Sequence, residues 1–460
     1  VGKCGLFSPR KVEKPVMKRR MRNALSLAAL LGAAGSTTTA HAADELTWHG
    51  ITLYGTYDIG LVHQTHGAPL SKDWGVGTAY LIARNSDKPQ TMIAPNGLSQ
   101  SRIGLKGKED LGGGVAFVFN LEVGFNPQSG RLSDGPASLA YNNGRPLDKQ
   151  KSAGDASRAG QVFNGPAFVG LSSKELGTLT AGRNNTVLLD NIGRYDPMNS
   201  SYAFSVIGLQ GTTSGGGYTQ DARADNSLKY NGKWDSLRVA ALYQFDGGHG
   251  SQGTGWQLNA GFDGQDFSVD AVYASKKDGV SAASLNAAQA KIMPRDSLAA
   301  VVSDNTSWTI DGSYTQGPFK LYAGLERIEF DNPSRPLRPG FTGLGDYTFS
   351  VVNNEAFPHT RRLDVSWFGV KYALNKDFDL TGAYYHYDQH AYGKTTCHQR
   401  SAANCSGELD AYSVRLVWHN FAKRFDAYAG AMFSRVSDGL AAGYLHTSTM
   451  DPMVGVRFQF

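Results

Sequence analysis

Three groups of residues in this 460-residue chain have types and spacings that could do chemistry. The segment YHYDQH sets His386 and His390 on either side of Asp388, which suggests a metal site or a fragment of a proton relay. On a strand, residues four apart stand about 13 Å from one another at ~3.3 Å per residue, too far to share one ion. A rim or loop position suits them better. Cys397, His398 and Cys405 form the second group. Three candidate ligands without a fourth make a poor metal site, and two cysteines eight apart in a polar stretch of an exported chain are expected to close a loop disulfide. The third, GGHGSQGTG, lacks the Lys and Ser/Thr of a phosphate-binding loop and reads as a loop tip. No G-x-S-x-G is present to nominate a serine nucleophile. The residues therefore point away from covalent chemistry. No cofactor is expected, and the question becomes what the elements that carry these residues are built to do.

The front of the chain is unlike the rest. MKRRMRNALSLAALLGAAGSTTTAHAA has a basic start, an apolar middle and small residues at Ala40 and Ala42, the pattern of a secretory signal peptide. Met17, or else Met21, is the expected start and Ala42 the expected cleavage point. Residues 1–16 then read as upstream frame, 17–42 as the leader and 43–460 as one domain. The first 42 residues hold eight of the 45 Lys and Arg and one of the 40 acids, so the remainder carries 37 basic against 39 acidic residues, a formal −2. The basic balance belongs to the leader and gives no support to nucleic-acid binding.

Beyond the leader no oily run is long enough for a membrane helix. What recurs is alternation. ITLYGTYDIGL puts Ile51, Leu53, Tyr57, Ile59 and Leu61 on one side, and FVFNLEVGF sets Phe117, Phe119, Leu121, Val123 and Phe125 against Asn120 and Glu122. Sixteen such strands are expected, near 51–62, 98–108, 114–126, 161–173, 177–184, 225–233, 236–246, 254–264, 266–276, 305–316, 318–329, 361–373, 378–389, 409–420, 424–435 and 451–460. Tight Gly/Asn/Asp turns such as SKELG, DGQD and TQGP alternate with long polar segments at 63–97, 127–160, 185–224, 277–304, 330–360, 390–408 and 436–450. Short turns at one end and long loops at the other are the pattern of an outer-membrane barrel. A backbone in lipid has no water to bond, so a sheet crossing a bilayer must close on itself. The last segment, DPMVGVRFQF, should therefore pair with the first. The alternative is a soluble protein of two facing sheets, which would bury Phe117 and Phe119 against a second layer.

At this point the residues resemble a known family. ITLYGTYDIGL, SRIGLKGKEDLGGGVAFVFNLEVGF, FVGLSSKELGTLTAGRNNT, RADNSLKYNG and VGVRFQF are similar, in order, to segments of the general porins of Gram-negative bacteria, particularly the β-proteobacterial branch. The resemblance implies an all-β, 16-stranded antiparallel transmembrane barrel with a long third loop folded into the lumen. It implies a homotrimer in outer-membrane lipid and lipopolysaccharide that passes small hydrophilic solutes and ions, and a terminal Phe460 that serves as an assembly signal.

Such a pore does no covalent chemistry. Its selectivity comes from diameter and from charges at the narrow point. The resemblance places the inward loop at about 185–224, with Asp190, Arg194, Asp196 and Asp221. If Ile103 and Leu105 face lipid, Arg102 and Lys106 face water. The same parity turns Glu122 and Lys229 inward, with Arg223 and Asp225 following if their strand extends upstream. Arg183 follows Gly182, where the alternation becomes ambiguous. Where relatives read F-G-R-x-A, this chain reads FNGPAFVGL, so Gly165 stands in place of one expected wall arginine, unless Arg158 or Arg183 substitutes. A weak anion preference is expected. A substrate-specific channel for a small anionic or aromatic solute is the alternative, and an outer-membrane barrel enzyme the more distant one.

Overall fold

Sixteen strands that alternate apolar and polar residues can satisfy their backbones in lipid only as a cylinder, and a computed structural model of the chain has that form. It describes residues 46–73, 87–152, 158–207, 222–247 and 253–460. The leader and Asp221 lie outside the described residues. The strands are β1 Ile51–Gly67, β2 Arg102–Gly112, β3 Val115–Asn126, β4 Ala167–Ser173, β5 Gly177–Asn185, β6 Arg223–Trp234, β7 Leu237–Gln244 and β8 Gly255–Asp263. They continue as β9 Phe267–Ala283, β10 Leu298–Gln316, β11 Phe319–Asp331, β12 Arg361–Ala373, β13 Phe378–Gln389, β14 Gly407–Ala422, β15 Phe425–Val436 and β16 Ser448–Gln459. Each pairs antiparallel with the next.

Closure is made by β16 on β1, with Thr56 opposite Gln459 and Val62 opposite Met453. Phe460 completes the ladder: its carbonyl accepts from Gly55 N at 2.9 Å and its own N–H donates back at 3.1 Å. Its ring lies 5.6 Å from that of Phe458, which in turn sits 4.7 Å from Phe425. A Cβ on Gly55 would come within 2.4 Å of the Phe460 ring, so the seam requires glycine there.

The two faces of the sheet are inverted relative to a water-soluble protein. Leu61, Leu258, Ile310, Leu325, Phe368 and Val454 are each at least half exposed on the outside, while Lys229, Asp270, Thr309, Glu326, Thr381 and Arg415 are buried on the inside. Phe117 is exposed and touches Phe119, its neighbour on the same face; no second layer covers them. Outward aromatics form two rows. Near the short turns lie the pairs Phe262/Phe267, Phe319/Tyr372 and Phe378/Trp418, and towards the long loops Trp256/Tyr273 and Tyr384/Tyr412. Such rows mark membrane–water boundaries. On β2, β4 and β5 the outward side chains are instead Ile103, Leu105, Val169, Leu171 and Leu179.

The long segments hold more structure than their polarity suggests. β9 and β10 run 17 and 19 residues, well beyond the ~9–11 that cross a bilayer. Their upper halves are covered by a hairpin, Phe341–Leu344 and Tyr347–Asn353, whose second strand lies parallel to β10 with Leu298 opposite Phe349. Val280, Leu298, Val302, Phe341 and Phe349 form a small apolar core there, and Leu139 and Ala140 of α1 (Gly135–Tyr141) pack against it. Residues 277–304 and 330–360 were expected as loops because the alanine-rich stretch of this extension, in SAAS and SLAAVV, hides its alternation. β4, in contrast, starts at Ala167 rather than 161, since Pro166 has no N–H to give the ladder.

Candidate functional site

The segment after β5 is built from a helix with two unlike sides. Thr186 caps α2 (Val187–Tyr195), its hydroxyl accepting from Leu189 N at 3.2 Å. Asp190 in the first turn and Arg194 in the last suit the helix dipole. Val187, Leu188 and Ile192 are buried in one cluster with Leu242, Val272, Ile328, Val365 and Trp367 from the inner face of the barrel. Asp190 and Arg194 stay on the open side.

After α2 the chain is tied along the inner wall. Asn191 donates to Asp311 of β10 at 2.7 Å. The Tyr195 hydroxyl donates to Asp270 of β9, and its carbonyl accepts from Trp367 Nε1 of β12 at 3.1 Å. Asp196 accepts from Tyr385 of β13 at 2.6 Å and from the amides of Met198 and Ser200 at 3.0 and 2.7 Å. Burial pushes its carboxyl above the usual range against these donors. Asn199 and Ser200 both take left-handed backbone conformations at φ 56° and 55°, a strained turn held by that carboxylate. Arg415 of β14 donates to Met198 O at 2.8 Å and Ser413 to Phe204 O at 2.7 Å. The segment reaches Gly97, whose carbonyl accepts from Ser201 Oγ at 2.7 Å and Ala203 N at 3.0 Å. Residues 187–207 thus line the inner wall of β7–β15, with Asp190 tied to Lys229 of β6, and face β1–β5 across the lumen.

On that facing wall the central group is Glu122 of β3. Arg102 Nε lies 3.3 Å from its Oε2, Arg158 Nη2 3.5 Å from its Oε1, and Tyr54 donates to it at 3.3 Å. Arg223 is close enough to add to the positive field at the same carboxylate. Arg158 is almost wholly buried, its Nη1 donating to Asn164 at 2.8 Å. A Cβ on Gly165 would meet Glu122 Oε1 at 2.5 Å. Glu122 is therefore reached from Arg158 in the preceding loop, and not from the Gly165 position.

Arg183 belongs to a different group. It bonds Asp225 at 2.6 Å and the carbonyls of Gly165 and Asn164 at 3.1 and 3.2 Å, stapling β5 and β6 to the segment before β4. Its facing was ambiguous because the register shifts between Gly182, at φ 130°, and Asn184. The same irregularity, with Asn226 at φ 50°, stops the β6 alternation from passing upstream of Ser227. Ala224 is buried, and Asp225 keeps an exposed side chain.

Lys229 faces inward as its parity requires, and its ammonium bonds Asp190 of α2 and Asn185 O. Lys106 is exposed on the inner face of β2 and makes no ion pair among the described residues. The open space beside the Asp190–Lys229 bridge divides into two recesses. One is lined by Thr52, Lys106, Lys108, Asn120, Thr180, Asp190 and Lys229, with three basic side chains and one acidic. The other is lined by Lys174, Asp190, Arg194, Lys229, Lys233, Arg238, Asn259 and Asp270, with five basic and two acidic. Lys108, Lys233 and Arg238 were not singled out from the sequence. Their strand parity would have found them, since each shares a face with a residue that was.

The other candidate chemistry is spoken for. Cys397 and Cys405 form a disulfide in the β13–β14 loop, with Cα atoms 4.9 Å apart. His398 bonds Ser406 at 2.7 Å. His386 and His390 bond separate carboxylates, Asp410 at 2.9 Å and Asp364 at 3.1 Å. Among the described residues, no three His, Cys, Asp or Glu side chains gather as metal ligands.

Comparison with known proteins follows this geometry. The family model described as Gram-negative porin matches residues 26–439. An outer membrane porin protein of Bordetella pertussis is 27% identical over 366 residues, covering 77% of this chain and 71% of that one. Among solved structures, an anion-selective porin from Comamonas acidovorans superposes with a TM-score of 0.58 at 17% identity, covering 89% of this chain and 99% of that one. The trimer form of OmpT from Vibrio cholerae gives 0.53 at 15%, covering 89% and 99%. These two structures share the fold. The chain is a channel protein of the outer membrane, and it belongs to the Gram-negative porin family.

Proposed function

We propose that this porin is a diffusion channel for small hydrophilic solutes and ions, with a weak anion preference set where α2 faces the wall of β1–β5. The observation that carries this reading is the imbalance of charge beside the Asp190–Lys229 bridge, where Lys106 and Lys108 make no ion pair among the described residues and Asp190 is the acid of that recess. Low-dielectric walls focus the field of such charges into the lumen. Arg102, Arg158 and Arg223 around Glu122 add further positive charge upstream. The structural neighbour from Comamonas acidovorans is an anion-selective porin. A reversal potential measured across a KCl gradient tests the proposed preference. The expected sign is that of chloride, and a potassium sign would reject the preference.

A homotrimer is part of the same proposal. The outward face of β2, β4 and β5 is aliphatic, while β3 between them carries Phe117 and Phe119; such an apolar face suits a neighbouring subunit, and the structural neighbour OmpT of Vibrio cholerae has a trimer form. The rest of the outer surface would meet lipid and lipopolysaccharide. Covalent catalysis has no support in the geometry, since His386, His390 and His398 each bond a structural partner.

A specific channel for a small anionic or aromatic solute is the second reading. One observation favours it: α1 of the β3–β4 loop is bonded to the β9–β10 loop, Leu139 O accepting from Ser284 Oγ at 2.8 Å, and Asp134 of the same loop accepts from Tyr347 of the 341–353 hairpin at 2.9 Å. The loops thus reach over one another at the mouth. Current that saturates with one solute would favour this reading, and current that stays linear with concentration would favour the general pore.

A further inference from the structure

Behind α2, where the helix covers the wall, five buried side-chain oxygens are left without a hydrogen-bond partner: both carboxylate oxygens of Glu326, Oδ1 of Asp311, Oγ of Ser307 and Oγ1 of Thr309. All four residues are at most 3% exposed. They share one patch of two adjacent strands, because Thr309 of β10 lies directly opposite Glu326 of β11 and Ser307 and Asp311 flank Thr309 two residues either way. The Ser307 and Thr309 hydroxyls face the Glu326 carboxylate and act on it, but no contact of either with it meets hydrogen-bond geometry.

No basic group acts on Glu326, and the one that acts on Asp311 is Arg194 of α2. The groups acting on Glu326 are Asp311, Ser307 and Thr309, none of them basic. Its cross-strand neighbour on β12 is Val365, and Val272 of β9 lies opposite Thr309. Val272, Ile328, Val365 and Trp367 are buried together with Leu188 and Ile192 of α2. The other oxygen of Asp311 accepts from Asn191 of the helix, and nearby Asp270 is committed to Arg238 at 2.5 Å and to Tyr195. A carboxylate enclosed in an apolar setting with no cation on it, as Glu326 is, is costly to keep charged. A donor set of oxygens alone, with two negative charges and two neutral hydroxyls, matches a hard divalent cation. Nitrogen and sulfur ligands, which transition metals favour, are missing from it.

We propose that Glu326 and Asp311, with the hydroxyls of Ser307 and Thr309, bind one hard divalent cation of the calcium type, which fixes the inward helix to the barrel wall. The bound ion completes the charge balance beneath α2 and is reached only when the helix lifts, so exchange is slow. This site is separate from the residues assigned to anion preference and does not depend on that assignment.

The test uses the full mature chain folded in detergent free of lipopolysaccharide and stripped with chelator, then titrated with calcium chloride by calorimetry and by thermal unfolding. Wild type is expected to take up one calcium per barrel and to unfold at a higher temperature with it. Glu326→Gln and Asp311→Asn are each expected to lose at least tenfold in affinity, and the exposed-site variant Glu355→Gln to behave as wild type. If either inner variant does not fold, the other together with Thr309→Val decides. No calcium uptake by wild type, or equal uptake by the inner variants, overturns the proposal; in the first case the two carboxylates hold protons instead.

Discussion

The Lys229 ammonium of β6 bonds the Asp190 carboxylate of α2, so the helix that narrows the lumen is tied to the wall by an acid that lines both basic recesses. Asp190 therefore has two effects, holding the helix end and masking one positive charge. Asp190→Asn keeps the shape of the side chain and removes the negative charge. The chloride-to-potassium permeability ratio should rise about twofold: a unit charge ~10 Å from a passing ion in water is worth about 0.4 kcal/mol, acts with opposite sign on the two ions, and is cut to roughly half by salt screening. A reversal potential in a KCl gradient measures this, and an unchanged or lower ratio would remove Asp190 from the ion path.

Arg102 and Arg223 both act on Glu122. Replacing the two together by Gln leaves Glu122 with Arg158 and should move the reversal potential toward cations by a factor of roughly two to four in permeability ratio. A potential that stays put would place the narrow point elsewhere along the lumen.

Trp367 Nε1 holds the Tyr195 carbonyl at the end of α2. Trp367→Phe keeps most of the ring and deletes the donor, at a cost of about 1–3 kcal/mol for the buried carbonyl left unpaired. Brief closures in single-channel records should become more frequent, while the folded barrel should persist by its heat-modified mobility in detergent gels. Closures at the wild-type rate would mean the helix end is held by its other contacts.

Gly55 accommodates the Phe460 ring at the seam. Gly55→Leu forces that ring out and should lower barrel stability by about 1–3 kcal/mol, the usual range for overpacking. Deleting Phe460 removes both backbone bonds to Gly55 and is expected to reduce assembly into the outer membrane. Normal amounts of folded barrel in the outer membrane after the deletion would show that the terminal ring is dispensable.

The barrel was legible because its signal is local. A period of two survives along each strand, and so the facing of Lys106, Glu122 and Lys229 followed from that of Leu105, Leu121 and Leu228. The alternation misled only where the backbone departs from it. The left-handed Asn226 and the shift at Gly182 hid the setting of Arg183 and Asp225. The path of the inward loop was not legible from local pattern. It depends on contacts between residues more than a hundred positions apart, such as Asp196 with Tyr385. The same contacts explain why Val272, Val365 and Trp367 turn apolar side chains into a polar lumen: α2 covers them. Arg158 could be nominated as a stand-in for a missing arginine, but the sequence offered Arg183 equally. Only the fold of the loop before β4 separates them.

The account rests on water within the cylinder and lipid outside it, and adjacent residues of β2 test that most directly. Leu105 is exposed on the outer face and Lys106 on the inner one. In a chain started at Ala43, which lacks Cys4, and with Cys397 and Cys405 paired, Lys106→Cys and Leu105→Cys each introduce one reactive thiol. A charged, water-soluble thiol reagent applied during planar-bilayer recording should cut the current through Lys106→Cys and leave Leu105→Cys unaffected. Block at Leu105→Cys with none at Lys106→Cys would contradict the assignment of the two faces.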